Sequence, residues 1–303
     1  MRKPSQIWAA IDIGSNTIHL VVKQLHQSRL EMIRRHSEML SLGRDVARTG
    51  KIGAAEPRRA ISGLRRLLLL ARQSAASVVL IGATEALRQA GNGKDFIRQI
   101  SDTLSLPVRL ISKTREESLS FLGARNELPA KGPQIFVDSG GGSTEVCLCQ
   151  GHRLVKAVSL PIGSGMLSWD LTFDPPEPLD LVRVTKPILS SLSKLPRNFA
   201  PKRALATGGA AHNLIRISQT NGQELSAAEL NRALHKLLKH PSRDIARKFQ
   251  IDAQRARTLA PGAIILGSIL EDYSLDRFTV VKGGVRDGML EAYRQKGESW
   301  WKE

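Results

Sequence analysis

The amino-acid sequence predicts an α/β protein that consists of two duplicated domains, each with a mixed β-sheet covered by helices. Two observations support this prediction. A strand that carries an aspartate near its end and returns as a second strand occurs twice, and a strand that opens into a helix also occurs twice, at the same spacing. With 303 residues, the chain is long enough for two domains of ordinary size.

The first repeated element is a β-hairpin with an aspartate on its incoming strand. Residues 9–13 form an apolar run that contains Asp12, a Gly-Ser-Asn-Thr turn follows, and residues 18–25 resume as a strand. Residues 135–139 repeat this pattern around Asp138, with a glycine-rich turn and a return strand. Short apolar runs bounded by turn residues are typical of buried strands, so we expect two hairpins.

The second repeated element is a strand that leads into a helix, at residues 78–84 and again at residues 204–210. The glycines of these segments are separated by 208 − 82 = 126 positions, and the two aspartates by 138 − 12 = 126 positions. A third pair of short strands, 108–111 and 278–281, precedes a helix in each half. An internal duplication explains these equal spacings better than chance does.

The second copy is longer than the first because predicted helices at residues 227–238 and 257–272 precede its last strand. Between the copies, residues 126–134 contain two prolines and a glycine and read as a connector. We therefore expect the domains to span residues 1–126 and 127–303.

The charge of the chain predicts an anionic partner. Lysine and arginine outnumber aspartate and glutamate by 45 to 28, which gives a net charge of +17 and a pI near 10.4. Aromatic residues make up only 4% of the chain, and no motif of the common nucleic-acid modules is present. We therefore expect no specific nucleic-acid partner, and either inorganic polyphosphate or a phosphorylated nucleotide fits the charge.

Cysteine use and hydropathy favour a cytoplasmic protein. Cys147 and Cys149 lie two positions apart on a strand-like run, so their side chains share one face and cannot easily form a disulfide. The apolar run at residues 7–13 contains Asp12 and is too short for a signal peptide. No other run approaches the length of a membrane span, so we expect a reducing cytosol and no membrane partner.

The two hairpin turns have the composition of phosphate-binding loops. Glycine lets the backbone approach a phosphate closely, serine and threonine add hydroxyl donors, and an aspartate at the end of the strand can hold hydrated Mg²⁺. Neither turn ends in Gly-Lys-Ser/Thr, and the triple glycine leads into a strand and not a helix. The sequence thus excludes a P-loop and a dinucleotide fingerprint.

At this point the chain resembles the exopolyphosphatases and guanosine pentaphosphate phosphohydrolases, the Ppx/GppA family. The resemblance rests on four segments, which are AIDIGSNT at 10–17, ATEALRQA at 83–90, VDSGGGSTE at 137–145 and GGVRDG at 283–288. It implies the actin-like ATPase (ribonuclease H-like) superfold, with a mixed five-stranded sheet in each domain and the active cleft between the domains. It also implies a short member that lacks the carboxyl-terminal HD-type domain of longer ones.

The resemblance implies a catalytic glutamate on the helix that follows the strand at 108–111. Family members have Ile-Ser-Gly at this junction and then a Glu-Glu pair, whereas this chain has Lys113 in place of the glycine. Without a gap, the first family glutamate falls on Arg115 and the catalytic one on Glu116. A one-residue slip would make Glu117 the catalytic residue. We prefer Glu116, because Thr114 and Glu117 read as a capping box.

The resemblance further implies a cofactor and a set of binding residues. The metal is Mg²⁺, or Mn²⁺ in its place, and the expected ligands are Asp138 and Glu145 with Asp12 as a third acid at the symmetric position. The expected phosphate-binding residues are Gly14, Ser15, Asn16, Thr17, Arg88, Gly140, Gly141, Gly142, Ser143, Gly208, Gly209 and Ala210. A homodimer is also compatible with the resemblance.

The leading hypothesis is an exopolyphosphatase that releases the terminal phosphate of inorganic polyphosphate. A pppGpp 5′-phosphohydrolase would share the same catalytic groups, and the basic composition modestly favours the polymer. Lys113 and Arg115, where the family has Gly and Glu, leave open a regulatory protein that binds polyphosphate or a nucleotide without hydrolysing it. A kinase of the same superfold is less favoured, because residues 283–288 resemble the phosphatases.

Overall fold

The computed structural model describes residues 6–220 and 222–303, which divide into two compact units. The first unit contains the chain up to Gly123 together with Gly283–Glu303, and the second contains Ala124–Lys282. The sequence placed the boundary close to this point, at residue 126, but assigned everything after it to the second domain. The last segment clusters with the first unit because its helix packs on the first sheet.

The first unit is built on a five-stranded mixed sheet in the order β3-β2-β1-β4-β5. Its strands are β1 (Gln6–Ile13), β2 (Thr17–His26), β3 (Arg29–Met39), β4 (Val78–Ala83) and β5 (Val108–Leu110). The first three strands pair antiparallel as a meander, and β1, β4 and β5 run parallel. This is the arrangement that the hairpin and the strand-to-helix patterns predict.

Helices cover both faces of this sheet. They are α1 (Leu42–Thr49), α2 (Glu56–Gln73), α3 (Glu85–Gln89), α4 (Gly93–Leu104), α5 (Lys113–Ala124) and, near the end of the chain, α13 (Val285–Lys296). Side chains of β1 alternate between two cores: Ile11 packs with α2, whereas Trp8 and Ala10 pack with Met289 and Leu290 of α13. The apolar face of α13 is therefore buried on the first sheet.

The second unit repeats the same sheet with one additional strand, in the order β10-β11-β9-β6-β7-β8. Its strands are β6 (Pro133–Ser139), β7 (Thr144–Gln150), β8 (Arg153–Leu160), β9 (Ala204–Thr207), β10 (Glu224–Ser226) and β11 (Arg277–Val280). The strand β10 adds an antiparallel edge to β11, so this sheet has six strands where the sequence predicted five. Cys147 and Cys149 on β7 are buried free thiols, as expected.

Seven helices belong to the described part of the second unit. They are α6 (Ser164–Ser168), α7 (Pro178–Leu192), α8 (Gly209–Ser218), α9 (Ala227–Lys239), α10 (Ser242–Phe249), α11 (Ala253–Arg257) and α12 (Leu259–Asp272). The predicted helices at 227–238 and 257–272 correspond to α9 and α12. Within residues 6–220 and 222–303, no helix is both long and apolar enough to cross a membrane.

Candidate functional site

The first turn, Gly14–Thr17, joins β1 to β2 and is closed by a hydrogen bond that Gly14 N donates to Thr17 O, at 3.1 Å. The carbonyl groups of the turn are occupied by the segment that precedes and begins α1. Ser15 O accepts a hydrogen bond from Gly43 N at 2.8 Å, and Asn16 O accepts one from Leu40 N at 2.8 Å. The polar residues of the turn are nevertheless buried, and Asn16 Oδ1 has no hydrogen-bond partner among the described residues.

The second turn, Gly140–Ser143, joins β6 to β7 and has the same closure: Gly140 N donates to Ser143 O at 3.0 Å. Its carbonyl groups are occupied by the start of α6. Gly140 O accepts from Ser164 N at 3.0 Å, and Gly141 O accepts from Met166 N at 2.8 Å. The two turns therefore have the same local geometry as well as related sequences.

This arrangement leaves N–H groups of the second turn available for an anion. Among residues 6–220 and 222–303, none accepts a hydrogen bond from the N–H of Gly141, Gly142 or Ser143. Successive N–H groups in a turn form a concave donor site that suits phosphate oxygens. The carbonyl oxygens of Gly140 and Gly141 accept hydrogen bonds from α6, so they do not point toward the space in which the N–H groups could bind an anion.

Gly163, which was not among the predicted site residues, lies directly against the backbone of the second turn. A Cβ at this position would lie 2.4 Å from the carbonyl carbon and oxygen of Gly141 and from Gly142 N. No side chain fits at that distance, so α6 can approach the turn only if residue 163 is glycine. The Gly-Ser-Gly run at 163–165 was the available signal for this contact.

Two of the predicted metal ligands face each other in the second unit. Asp138 and Glu145 are directly paired in the antiparallel register of β6 and β7, so their side chains lie on the same face of the sheet. Ser159 Oγ on β8 donates a hydrogen bond to Glu145 Oε1 at 2.9 Å. Glu145 is buried and Asp138 is half-buried.

This donor set fits a magnesium ion. Magnesium is usually bound through one or two protein carboxylates, waters and substrate phosphate oxygens, and not by a cage made entirely of protein. Among the described residues there is no group of three or more His, Cys, Asp or Glu side chains arranged to hold a metal. The pair Asp138 and Glu145 fits a magnesium ion that is bound by two protein carboxylates, waters and substrate oxygens. Asp12, the third predicted ligand, lies in the first unit.

The strand-to-helix junction at Gly208 is a second candidate for anion binding in the second unit. Gly208 has φ of 100°, and a Cβ there would lie 2.3 Å from Ser139 O, so only glycine fits. The helix α8 begins at Gly209, and the N–H groups of a first helical turn attract anions. Ala210 is buried and contributes its side chain to the core.

Arg255 on α11 lies over this junction and was also missed by the sequence analysis. A Cβ at Gly209 would be 2.3 Å from Arg255 Nη1, so the guanidinium covers the start of α8. A guanidinium at a helix start adds a positive charge where the helix dipole already favours an anion. The arginine is 46 positions after the glycine (255 − 209), and no local pattern connects them.

In the first unit, Glu116 is buried on the first turn of α5 and forms an ion pair with Arg88. Arg88 Nη1 lies 2.6 Å from Glu116 Oε2, and the same nitrogen donates a hydrogen bond to Ile111 O at 2.8 Å. Burial raises the pKa of the Glu116 carboxyl to about 7; Arg88 opposes this shift, and the negative charge of Asp12 adds to it. A carboxyl that titrates near neutrality suits a general base.

Arg88, which was predicted to bind phosphate, forms ion pairs with two carboxyl groups in the structure. Besides Glu116, its guanidinium donates a hydrogen bond to Glu85 on α3. Asp12, on β1, lies close enough to contribute to the electrostatics of Glu116, and Thr84 Oγ1 lies 3.4 Å from Asp12 Oδ1. The first unit therefore brings together Asp12, Arg88 and Glu116.

The sequence predicted a capping box of Thr114 and Glu117, but Thr114 is not the cap of α5. The helix α5 begins earlier, at Lys113, and Ser112 is its cap: Ser112 Oγ accepts a hydrogen bond from Arg115 N at 3.0 Å. Ser112 O also accepts the first helical bond, from Glu116 N at 2.9 Å. Glu117 follows Glu116 by about 100° around the helix and is half-buried, so the two carboxylates point in different directions.

Comparison with known proteins identifies relatives along nearly the whole chain. The pattern of the Ppx/GppA phosphatase family matches residues 20–296. A putative exopolyphosphatase of Haemophilus influenzae is 21% identical over 289 residues, which cover 93% of this chain and 90% of that protein. Exopolyphosphatase 1 of Mycobacterium leprae is 25% identical over 301 residues, which cover 92% and 87% respectively.

Solved structures give the same result for the fold. The crystal structure of the Aquifex aeolicus member of the Ppx/GppA family is 26% identical, covers 97% of this chain and 99% of that one, and superposes with a TM-score of 0.78. An exopolyphosphatase from Cytophaga hutchinsonii, 22% identical, covers 96% and 98% and reaches a TM-score of 0.85. The two-domain α/β fold that the sequence predicted, with a mixed sheet in each domain, is thereby confirmed.

Proposed function

Because the chain belongs to the Ppx/GppA phosphatase family and is a phosphoanhydride hydrolase, we propose that it is an exopolyphosphatase that removes the terminal phosphate of inorganic polyphosphate with Mg²⁺ as its metal. The observation that carries this proposal is the second turn. It presents the N–H groups of Gly141, Gly142 and Ser143 beside the facing carboxylates of Asp138 and Glu145.

The second unit would bind phosphate oxygens and the metal. The free N–H groups of the turn and the start of α8 at Gly209 donate to anionic oxygens. Asp138 and Glu145 would hold Mg²⁺, with the hydrogen bond from Ser159 fixing the orientation of Glu145. When bound, the ion neutralises negative charge on the phosphoanhydride oxygens.

The first unit would supply the general base. Glu116 can accept a proton from the attacking water, because burial brings its pKa to about 7 and Arg88 keeps the ionised form accessible. Asp12 contributes the negative charge that raises the proton affinity of this carboxylate further. In the first turn, the buried amide of Asn16 has an unpartnered oxygen that can accept a hydrogen bond from a water molecule.

The net charge of the chain supports the choice of polyphosphate over pppGpp. A net charge of +17 attracts a polymer that carries a negative charge on every phosphate more strongly than a single nucleotide. Relatives whose names give an activity, from Haemophilus influenzae and Mycobacterium leprae, are called exopolyphosphatases.

The test is a phosphate-release assay with short and long polyphosphates, pppGpp and ATP, each with Mg²⁺, with Mn²⁺ and with a chelator. We expect release from polyphosphate that requires a divalent metal and exceeds release from pppGpp in kcat/KM. A higher kcat/KM for pppGpp would reassign the substrate within the family. Undiminished release in the presence of the chelator would overturn the metal assignment.

A further inference from the structure

The amino-terminal end of α5 is held by the last four residues of the described chain. The guanidinium of Arg115 donates two hydrogen bonds to Trp300 O, from Nε at 3.0 Å and from Nη2. Ser112 Oγ donates a hydrogen bond to Glu303 Oε1 at 2.6 Å. We name this set of contacts, formed by Ser112 and Arg115 with Trp300 and Glu303, the α5 clamp.

Burial makes the contact of Arg115 costly to lose. The residue is 7% exposed and the Trp300 side chain is 2% exposed in the same core as Trp8 and Met289. Desolvation lowers the pKa of the Arg115 guanidinium. A buried guanidinium without an acceptor is strongly unfavourable, so the carbonyl of Trp300 fixes where this side chain lies.

The contact of Ser112 fixes the helix cap. The hydroxyl of Ser112 gives its proton to Glu303 and accepts a hydrogen bond from Arg115 N at 3.0 Å. A hydroxyl has one proton and two lone pairs, so the bond to Glu303 orients the lone pairs toward the helix. The cap of α5 and the guanidinium of Arg115 are therefore both held by residues 300–303.

The far end of α5 is held by α13. A Cβ at Gly123 would lie 2.0 Å from Gly284 O, and one at Gly288 would lie 1.8 Å from Leu119 O, so the two backbones are in direct contact. Both ends of α5 are thus packed against residues 283–303, and a shift of the helix is resisted at two points.

Glu116, the proposed general base, lies on α5 between the contacts at Ser112 and Arg115 and the contact at Gly123. Arg115 and Glu116 are adjacent and point about 100° apart on the helix, one toward Trp300 O and the other toward Arg88. We propose that the α5 clamp sets the position of the Glu116 carboxylate, and that Arg115 and Ser112 are positioning residues for hydrolysis. This inference rests on the proposed function of Glu116. It also explains Arg115, a departure from the family glutamate, as a structural partner of Trp300.

The experiment measures kcat and KM for phosphate release by Arg115→Met, which keeps the apolar length of the side chain and removes its donors. Misplacing a base costs turnover more than binding, so we expect kcat to fall by about 10-fold or more with KM changed less than about 2-fold. Arg115→Lys, which retains a charged donor group at the end of the side chain, should recover part of kcat. The matched control is Arg216→Met in the second unit, because Arg216 Nη2 also donates to a backbone carbonyl, Phe249 O, at 2.6 Å.

All rates are normalised to the folded fraction, measured by circular dichroism well below the unfolding midpoint. An unchanged kcat in Arg115→Met, or a loss equal to that in Arg216→Met, would overturn the positioning role. Hydrogen exchange at the amide of Glu116 provides a readout that does not depend on activity: we expect faster exchange in Arg115→Met and in Ser112→Ala than in Arg216→Met. If the wild-type chain releases no phosphate from any substrate, the proposed function fails, and equal exchange in all three variants would separately overturn the clamp.

Discussion

The two hairpin turns are alike, whereas the strand-to-helix junctions beside them have diverged. In the second unit, Gly208 ends the strand at φ of 100° and α8 begins immediately at Gly209 and runs for 10 residues. In the first unit, Gly82 lies inside β4, and α3 begins at Glu85 and has only 5 residues. The second junction has a glycine at positive φ directly before a helix, whereas at the first junction the acidic side chain of Glu85 accepts a hydrogen bond from Arg88.

The cross-strand partners of the two hairpin aspartates also differ between the units. Asp138 is paired across the hairpin with Glu145, whereas Asp12 is paired with His19, the residue 126 positions before Glu145 (145 − 126 = 19). The second unit therefore has two facing carboxylates and the first has one. This difference agrees with the proposed function, in which the second unit would bind phosphate and metal and the first unit would supply the base.

The largest expected effect tests the role proposed for the first unit. Glu116→Gln keeps the size of the side chain and cannot accept a proton, so we expect kcat for phosphate release to fall by about 10² to 10⁴. Glu117→Gln, one position further on the same helix, serves as the control and should retain most of the activity. The reverse ranking of these two variants would move the base to Glu117, and circular dichroism would verify that both remain folded.

The next effect tests whether the glycines of the two junctions have become unequal. Gly208→Ala places a Cβ against Ser139 O at a positive φ, so we expect the free energy of unfolding to fall by about 2 to 4 kcal/mol. In Gly82→Ala the new Cβ would meet Ile111 Cγ1 and Met289 Cε at 3.2 Å. These are side-chain atoms that can move, so a loss of at most about 1 kcal/mol is expected.

Urea unfolding followed by circular dichroism gives both values, provided that the slope with urea is the same in each variant. Equal destabilisation by the two substitutions would mean that the junctions have not diverged in their backbone requirements.

Much of the fold could be predicted because the duplication repeats local signals. The two turns, β4 with β9, and β5 with β11 were all found from apolar runs and glycine positions. The strand β10 has three residues and no pattern of its own, since its pairing with β11 alone defines it. The placement of α13 on the first sheet depends on packing of Met289 against Trp8, which no local pattern encodes.

The candidate site was predictable to the same degree. Glycine turns and strand-end acids are local features, so Gly140 and Asp138 could be selected from the sequence. The cap of α5 was assigned to Thr114 because the sequence could not reveal that Glu303 orients Ser112. The acceptor of Arg115 lies 185 positions away and is a backbone carbonyl, a partner that residue types do not indicate.

The pH dependence of stability gives a further consequence of burying Glu116 in the first unit. Its pKa is raised from 4.5 to about 7, so between these values the folded chain holds a proton that the unfolded chain has released. The unfolded state then binds fewer protons, and the contribution of Glu116 to the free energy of unfolding decreases as pH rises from 4.5 to about 7. Glu116→Gln removes this contribution.

The smallest expected effect concerns the charge beside this carboxylate. Arg88 opposes the shift that burial causes, so Arg88→Met should raise the pKa of Glu116 beyond about 7. The base must be ionised to accept a proton, and the acidic limb of the kcat profile should therefore move to higher pH by about 1 unit. At neutral pH the variant is slower, and it recovers in alkaline buffer.

Arg255→Met in the second unit sharpens the same comparison. Arg255 lies over Gly209 in the second unit, so its loss should raise KM for polyphosphate and leave the acidic limb of the profile where it is in the wild-type enzyme. A shift of the limb in Arg255→Met, or none in Arg88→Met, would contradict the assignment of the base to the first unit. Recovery of Arg88→Met at high pH also separates an altered pKa from a misfolded site, because a misfolded site would stay inactive at every pH.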